Sequence, residues 1–380
     1  MRLRVERQDL MDAVAWTART LPTRSTVPVL SGLLLESGTG EDTDGLRLSG
    51  FDFEVAAEAR VGVTVAEGGR VLVSGKLLAE ICRSLPAAPV DLATEGNRLV
   101  LVCGSARFQL PTMPVEDYPS LPAMPPVTGR IASAAFATAV QQVAVAAGRD
   151  DTLPVLTGVR VEIDGDTLTL AATDRYRLAV RELPWRPETP AGSSVALVPA
   201  RTLADTAKAL AGSSAEVEIA LGTGAQGEGM AGFANGDLRT TTRLLEGEFP
   251  KYRALLPDSS DAFAELDTQT LTDAVKRVAL VTAGRTTPVR LTFDDSGEAL
   301  LEAGSGEDAQ ASERLPATFE GEPLTIAFNP AFLLDGLGQL DGDTARLSFT
   351  APTKPAVLTG KVTDQPAEYR YLLMPVRLPS

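Results

Sequence analysis

Three blocks of this chain recur in one order, and nothing else in the sequence constrains its fold as much. LPTRSTVPVLSGLLLE at 21–36 aligns with AGRDDTLPVLTGVRVE at 147–162 and TAGRTTPVRLTFDD at 282–295. A second block follows each: VSGKLLAEICRSL from 73, VPARTLADTAKAL from 198 and FNPAFLLDGLGQL from 328. A third closes the first two copies, as EDYPSLP at 116–122 and GEFPKYRALLP at 247–257. The period far exceeds the roughly 20–50 residues of a stacked repeat, so each copy should be a domain with its own core. Turn formers cluster at 121–129 and 255–261, which places the domains at 1–125, 126–257 and 258–380.

Within each copy the apolar spacing predicts a leading helix. Leu10, Val14, Ala18 and Leu21 mark it in the first copy, and Phe136, Val140, Val143 and Ala147 in the second. Leu271, Val275 and Val278 mark it in the third, with Thr268 as its cap. Strands rich in Val, Leu and Thr follow, broken by hairpin signals such as Asp164-Gly165 and Asn235-Gly236. The second block reads as another helix, and Asn329-Pro330 supplies its cap and first position. The fold class is therefore α+β: three tandem homologous domains, each with two helices against antiparallel sheets.

The 380 residues contain no histidine, which removes the commonest general base and the histidine metal ligands. Cys82 and Cys103 lack metal or redox spacing and read as buried, reduced thiols of a cytoplasmic protein. No apolar run approaches the ~18 residues of a membrane span, and the charged start MRLRVERQDL does not read as a secretory signal.

Net charge is −15, yet the basic residues gather on the polar faces of the helices. Lys276 and Arg277 lie opposite Leu271, Val275 and Val278; Lys76 and Arg83 lie away from Leu78 and Ile81. Arg201 and Lys208 lie away from Leu203 and Ala207, and Arg149 follows the leading helix of the middle copy. Such faces are either solvated surface or a seat for phosphates that positions without reading bases.

End to end, these blocks resemble the bacterial DNA polymerase III β subunit, the sliding clamp, in wording that looks actinobacterial. The resemblance runs from MRLRVERQDL through VPVLSGLLLE, EDYPSLP, LPVLTG, TDRYRLAV, VPARTL, EFPKYRALLP and FNPAFLLDGL to YLLMPVRL. It implies a head-to-tail dimeric ring that encircles double-stranded DNA and works as a processivity factor without catalysis or cofactor. The implied partners are the replicative DNA polymerase α subunit, the clamp loader, repair polymerases, ligase and mismatch-repair proteins. The implied peptide pocket falls on Leu156, Thr173, Arg175, Tyr176, Arg177, Leu178, Pro250, Leu255, Met374, Pro375, Val376 and Arg377. Many members carry Gly-His where this chain has Arg175-Tyr176, and Arg where it has Ala254, which is compatible with a second-copy clamp that tolerates an inhibitor of the pocket. Arg24 and Arg201 match basic positions of the family, and Lys76, Arg83, Arg149, Lys208, Lys276 and Arg277 join them from the helix faces. Subunit closure is expected from Phe108 and Leu110 against Leu280 and Val281. TDRYRLAV stands out as having no equally close counterpart in the other copies.

Two rival readings remain at this level. One is an NAD-dependent enzyme built on the GxGxxG run at 222–227, which leads into strand-like MAGFANGDLRTTT although the fingerprint needs a helix. The other is a scaffold that keeps the clamp fold without encircling DNA.

Overall fold

The structure is a computed structural model that describes the chain except residues 23–25, 40–41, 190–191, 213–214, 223–228, 258, 283–286, 305–308, 362–367 and 378–380, and the side chains of 39 and 42–44. Among the described residues there are two α-helices per repeat: α1 (Arg7–Thr17), α2 (Gly75–Ser84), α3 (Ser133–Ala144), α4 (Ala200–Leu210), α5 (Thr268–Val278) and α6 (Pro330–Leu337). The apolar positions expected to face inward are buried in each leading helix, including Leu10, Val14, Phe136, Val140, Val143, Leu271, Val275 and Val278.

The expectation that a helix leads each copy is corrected. A short strand precedes it every time, at Arg2–Val5, Gly129–Ala132 and Ala262–Asp267. Leu3 and Val5 alternate with exposed Arg2 and Arg4, a period-2 signal only four residues long. The cap of α5 also moves by one residue. Asp267, at the end of its strand, accepts the Thr270 N–H at 2.7 Å, and bonds from the Thr270 hydroxyl and N–H hold its carboxyl below the usual range. At α6 the expectation holds: Asn329 accepts the N–H groups of Ala331 and Phe332 at 2.9 and 3.4 Å, with Pro330 first in the helix.

The chain divides into two compact units: Met1–Phe136 with Arg186–Thr189 and Asp205–Leu244, and Ala137–Trp185 with Pro190–Ala204 and Leu245–Ser380. In the first unit, eight strands of the first repeat close a circuit of pairings, because Arg2–Val5 bonds to both Val90–Glu95 and Val55–Glu67. From Val55–Glu67 the sheet continues into Leu238–Arg243, Met230–Asn235 and Glu216–Gly222 of the middle repeat. In the second unit, Ser193–Pro199, Gly158–Asp164, Thr167–Thr173 and Arg177–Pro184 of the middle repeat continue into Tyr369–Leu373 of the last. Each time, one copy's strand is completed by the final strand of the next copy. Sheets therefore run across the repeat boundaries. Gly165 and Gly236 take left-handed φ of 58° and 57° in the hairpins expected there.

Candidate partner-binding site

The second unit's most distinctive turn joins Thr167–Thr173 to Arg177–Pro184. Asp174 builds it: its Oδ1 accepts the N–H groups of Tyr176 and Arg177 at 3.0 and 3.1 Å, and Oδ2 accepts from Arg177 Nε at 3.0 Å. The Thr173 hydroxyl donates to the Arg177 carbonyl at 2.6 Å and accepts the Arg175 N–H at 3.2 Å. Arg175 is held at φ 79°, a left-handed conformation in which a Cβ crowds the backbone and costs about 1–2 kcal/mol. That is a physical reason for the glycine other members place here.

The turn faces α6. Tyr176, 55% exposed, stacks on Phe332 with ring centroids 6.2 Å apart, and the Arg177 guanidinium lies 4.5 Å over the same ring. Arg177 also bonds to Asp335 and, at 3.2 Å, to the Tyr371 hydroxyl. Burial would lower its pKa, but Tyr371, Asp335 and Asp174 raise it, so it stays a cation in a nearly closed site. Between turn and helix lies a cavity of about 760 Å³, lined by Leu153, Leu156, Arg175, Tyr176, Arg177 and Phe332 among others. An apolar hollow with a few fixed polar groups suits capture of a short peptide.

The twelve expected pocket residues sort into three groups. Leu156, Arg175, Tyr176 and Arg177 line the cavity. Leu255 and Met374 are large apolar side chains left 48% and 42% exposed; they lie outside its lining, as do Pro250, Pro375, Val376 and Arg377. Met374 is tied to the turn by its N–H, which donates to the Tyr176 carbonyl at 2.9 Å, and the Val376 N–H donates to Ala327 at 2.8 Å. Thr173 and Leu178 are interior. Leu178 is 1% exposed in a cluster with Ala171, Val180, Phe249, Tyr252 and Leu372, so its expected role as pocket lining is corrected to core. Asp174, Asp335 and Phe332 were missed, although Phe332 and Asp335 fall within the FNPAFLLDGLGQL block already recognised as a repeat.

Of the basic residues, Lys76, Arg83, Arg149, Arg201, Lys208, Lys276 and Arg277 are all exposed, while Arg24 lies outside the described residues. Arg149 lines the cavity beside Asp150. Arg277 is bound to Glu313 through two hydrogen bonds, at 3.0 and 2.5 Å, and Lys276 sits 3.6 Å from Asp273. Exposed pairs of this kind are weak enough to exchange for phosphate.

Leu280 is 83% exposed and Val281 is half-buried. Leu110 is corrected: at 1% exposure its side chain fills the core, and only its backbone edge is open to pairing. Strand Ala106–Met113 pairs with Arg98–Cys103 on one side, while on its other side, among the described residues, only Thr112 and Met113 are paired. Strand Ala311–Pro316 likewise ends its sheet.

The GxGxxG run lies mostly outside the described residues, but the strands flanking it, Glu216–Gly222 and Met230–Asn235, pair antiparallel with Gly222 opposite Met230. The element that comes after the run is the strand Met230–Asn235 and not a helix, so the dinucleotide fingerprint lacks its required context. Burial pushes the Cys82 thiol up to about 12, against the nearby Arg7, and Cys103 is buried too; both are unreactive core.

Comparison with known proteins agrees along the whole length. The N-terminal, central and C-terminal domains of the DNA polymerase III beta subunit match residues 1–122, 130–251 and 253–377. The beta sliding clamp of Streptomyces coelicolor is 57% identical over 381 residues, covering 100% of both chains. The beta sliding clamp homolog GriR of Streptomyces muensis is 45% identical over 99% of both. Among solved structures, a Pseudomonas aeruginosa sliding clamp bound to griselimycin superposes with a TM-score of 0.91 at 29% identity, again over 100% of both chains.

Proposed function

We propose a mode of action from one premise: this chain belongs to the DNA polymerase III β-subunit family. It is a sliding clamp, a processivity factor rather than an enzyme. The observation that carries this is the threefold domain repeat, matched in order along the chain by the three domains of that family. Two copies close head to tail around duplex DNA, and the ring holds the replicative polymerase at its template by high effective concentration. Domains are taken at 1–125, 126–257 and 258–380, and the clamp works in the cytoplasm; no helix among the described residues is long and apolar enough to cross a membrane.

Lys76, Arg83, Arg149, Arg201, Lys208, Lys276 and Arg277, with Arg24, meet DNA phosphates without reading sequence. Closure joins the open edges of Ala106–Met113 and Ala311–Pro316, with Leu280 and Val281 covering the joint. Peptides from the polymerase α subunit, clamp loader, repair polymerases, ligase and mismatch-repair proteins dock between the Arg175–Arg177 turn, α6 and the exposed Leu255 and Met374. The decisive experiment loads the protein onto nicked circular DNA with its loader and then linearises the circle. A topological clamp slides off the ends; equal retention on both forms favours the non-encircling scaffold and rejects this function.

A second reading is favoured by Arg175 and Tyr176: a second-copy clamp that tolerates an inhibitor of the pocket. Arg175 at φ 79° and Tyr176 stacked on Phe332 put two large side chains where many members carry Gly-His. Titration with griselimycin tests it, since tight binding would discard the reading.

A further inference from the structure

We infer that Glu162 is a positioning residue for partner binding: it clamps the 249–256 segment to the sheet and thereby fixes where Leu255 stands. The inference rests on the peptide-site reading above. Glu162 lies on Gly158–Asp164 and is 7% exposed. Its Oε2 accepts from the Tyr252 hydroxyl at 2.9 Å and from Arg253 at 2.5 Å, and its Oε1 accepts from Arg160. Arg253 lies 5.0 Å over the Tyr252 ring, and Phe249 meets that ring edge-on at 6.2 Å. Tyr252 opens the 3₁₀ turn Tyr252–Leu255, and Leu256 packs back onto the cluster around Leu178. The segment is thus anchored on both sides of Leu255, which is held out at 48% exposure. Burial would raise the Glu162 pKa, but the bonds from Arg253, Arg160 and Tyr252 lower it overall, so the anchor is a charge at neutral pH.

The first repeat shows what this carboxylate was spared from doing. The aligned blocks place Glu36 at the same position, 8% exposed on Gly32–Thr39. Its partners are Arg47 at 3.1 Å and Arg70 at 2.6 Å, which face it in register on the two neighbouring strands. The residues facing Glu162 in register are Thr169 and Val195, neither of which carries charge. A buried carboxylate without partners is costly, and in the middle copy much of the compensation comes from Tyr252 and Arg253, outside the sheet. The same acid that staples a sheet in one copy holds the wall of a binding site in the next.

Calorimetry with the purified replicative polymerase α subunit of the same organism tests this. Glu162→Ala should weaken binding about tenfold, the effect of ~1.4 kcal/mol, and Glu162→Gln should recover most of it, because the amide oxygen still accepts from Tyr252. Glu36→Ala should lower the melting temperature and leave affinity unchanged. In a Leu255→Ala background Glu162→Ala should add little, whereas a purely structural role would cost the same factor there; that additive outcome overturns the inference. It is also overturned if Leu255→Ala weakens binding and Glu162→Ala does not. If Leu255→Ala itself leaves affinity unchanged, the peptide-site reading fails first. Should Glu162→Ala not fold, Tyr252→Phe, which removes one anchoring hydroxyl, should weaken binding severalfold, and unchanged affinity there overturns the inference equally.

Discussion

The turn at 51–55 in the first repeat and the turn at 173–177 in the middle one share a backbone and almost nothing else. Asp52 Oδ1 accepts the N–H groups of Glu54 and Val55 at 3.0 and 2.7 Å, as Asp174 does for Tyr176 and Arg177. Phe53 stands at φ 74° where Arg175 stands at 79°. Arg243 donates its N–H to the Glu54 carbonyl at 2.9 Å, the bond Met374 makes to Tyr176. TDRYRLAV therefore has a structural counterpart, FDFEVAAE, although the two stretches are not close in sequence. The side chains diverge completely: Phe53 leans on Phe51 at 5.6 Å, while Arg175, Tyr176 and Arg177 turn toward α6. One aspartate and one left-handed residue suffice to keep the turn, which leaves the remaining positions free to become a site.

The largest test of this contrast is Arg177→Ala. It strips Asp174 and Tyr371 of a buried cationic partner and should cost about 3–5 kcal/mol in urea unfolding, whereas Val55→Ala should cost about 1 kcal/mol. Equal losses would mean the two turns are built alike after all. Next, Tyr176→Ala should weaken polymerase binding by about 1–2 kcal/mol in surface plasmon resonance, with Glu54→Ala leaving it untouched; a matching loss at Glu54 would show that the first turn binds as well. Smaller still, Arg175→Gly should stabilise the protein by about 0.5–1 kcal/mol, the left-handed cost less glycine's extra entropy. Phe53→Gly should gain little, since it also forfeits an aromatic contact worth about 0.5–1.5 kcal/mol. A larger gain at Phe53 would refute the ranking.

The finest effect concerns acid. Because the folded-state pKa of Glu162 is depressed, its contribution to stability is present above the unfolded value of about 4.3 and is lost as pH falls through the folded one. The stability gap between the native protein and Glu162→Gln should be flat from pH 6 to 8 and close below about pH 4. A gap that changed around neutrality would need another titrating group, and there is no histidine to supply one.

Much of this architecture was legible in the sequence because repeats and caps are local or periodic signals. The three copies, the Asn329 cap and the glycine hairpins needed no structure. What escaped were features fixed by geometry across distance. The leading strands are too short for their period to register. The 51–55 turn shares only its aspartate with 173–177, so alignment could not pair them. Leu178 and Leu110 sit at positions the resemblance assigns to contact, and only the surrounding side chains show that each is already covered. The cavity residues contributed by α6 were visible as a repeat block but not as neighbours of Arg177, since that proximity is tertiary.

The strand pairings that run from one repeat into the next have a mechanical consequence. Bending the chain between middle and last repeats would pull the five in-register residue pairs of Arg177–Arg181 and Tyr369–Leu373 apart together. Antiparallel ladders loaded in this way are stiff, because no single bond can yield alone. The outer sides of 106–110 and 311–316 have no ladder among the described residues and so offer no such resistance within the chain. A closed assembly of such chains would resist hinging between the middle and last repeats more than parting at the seams between copies.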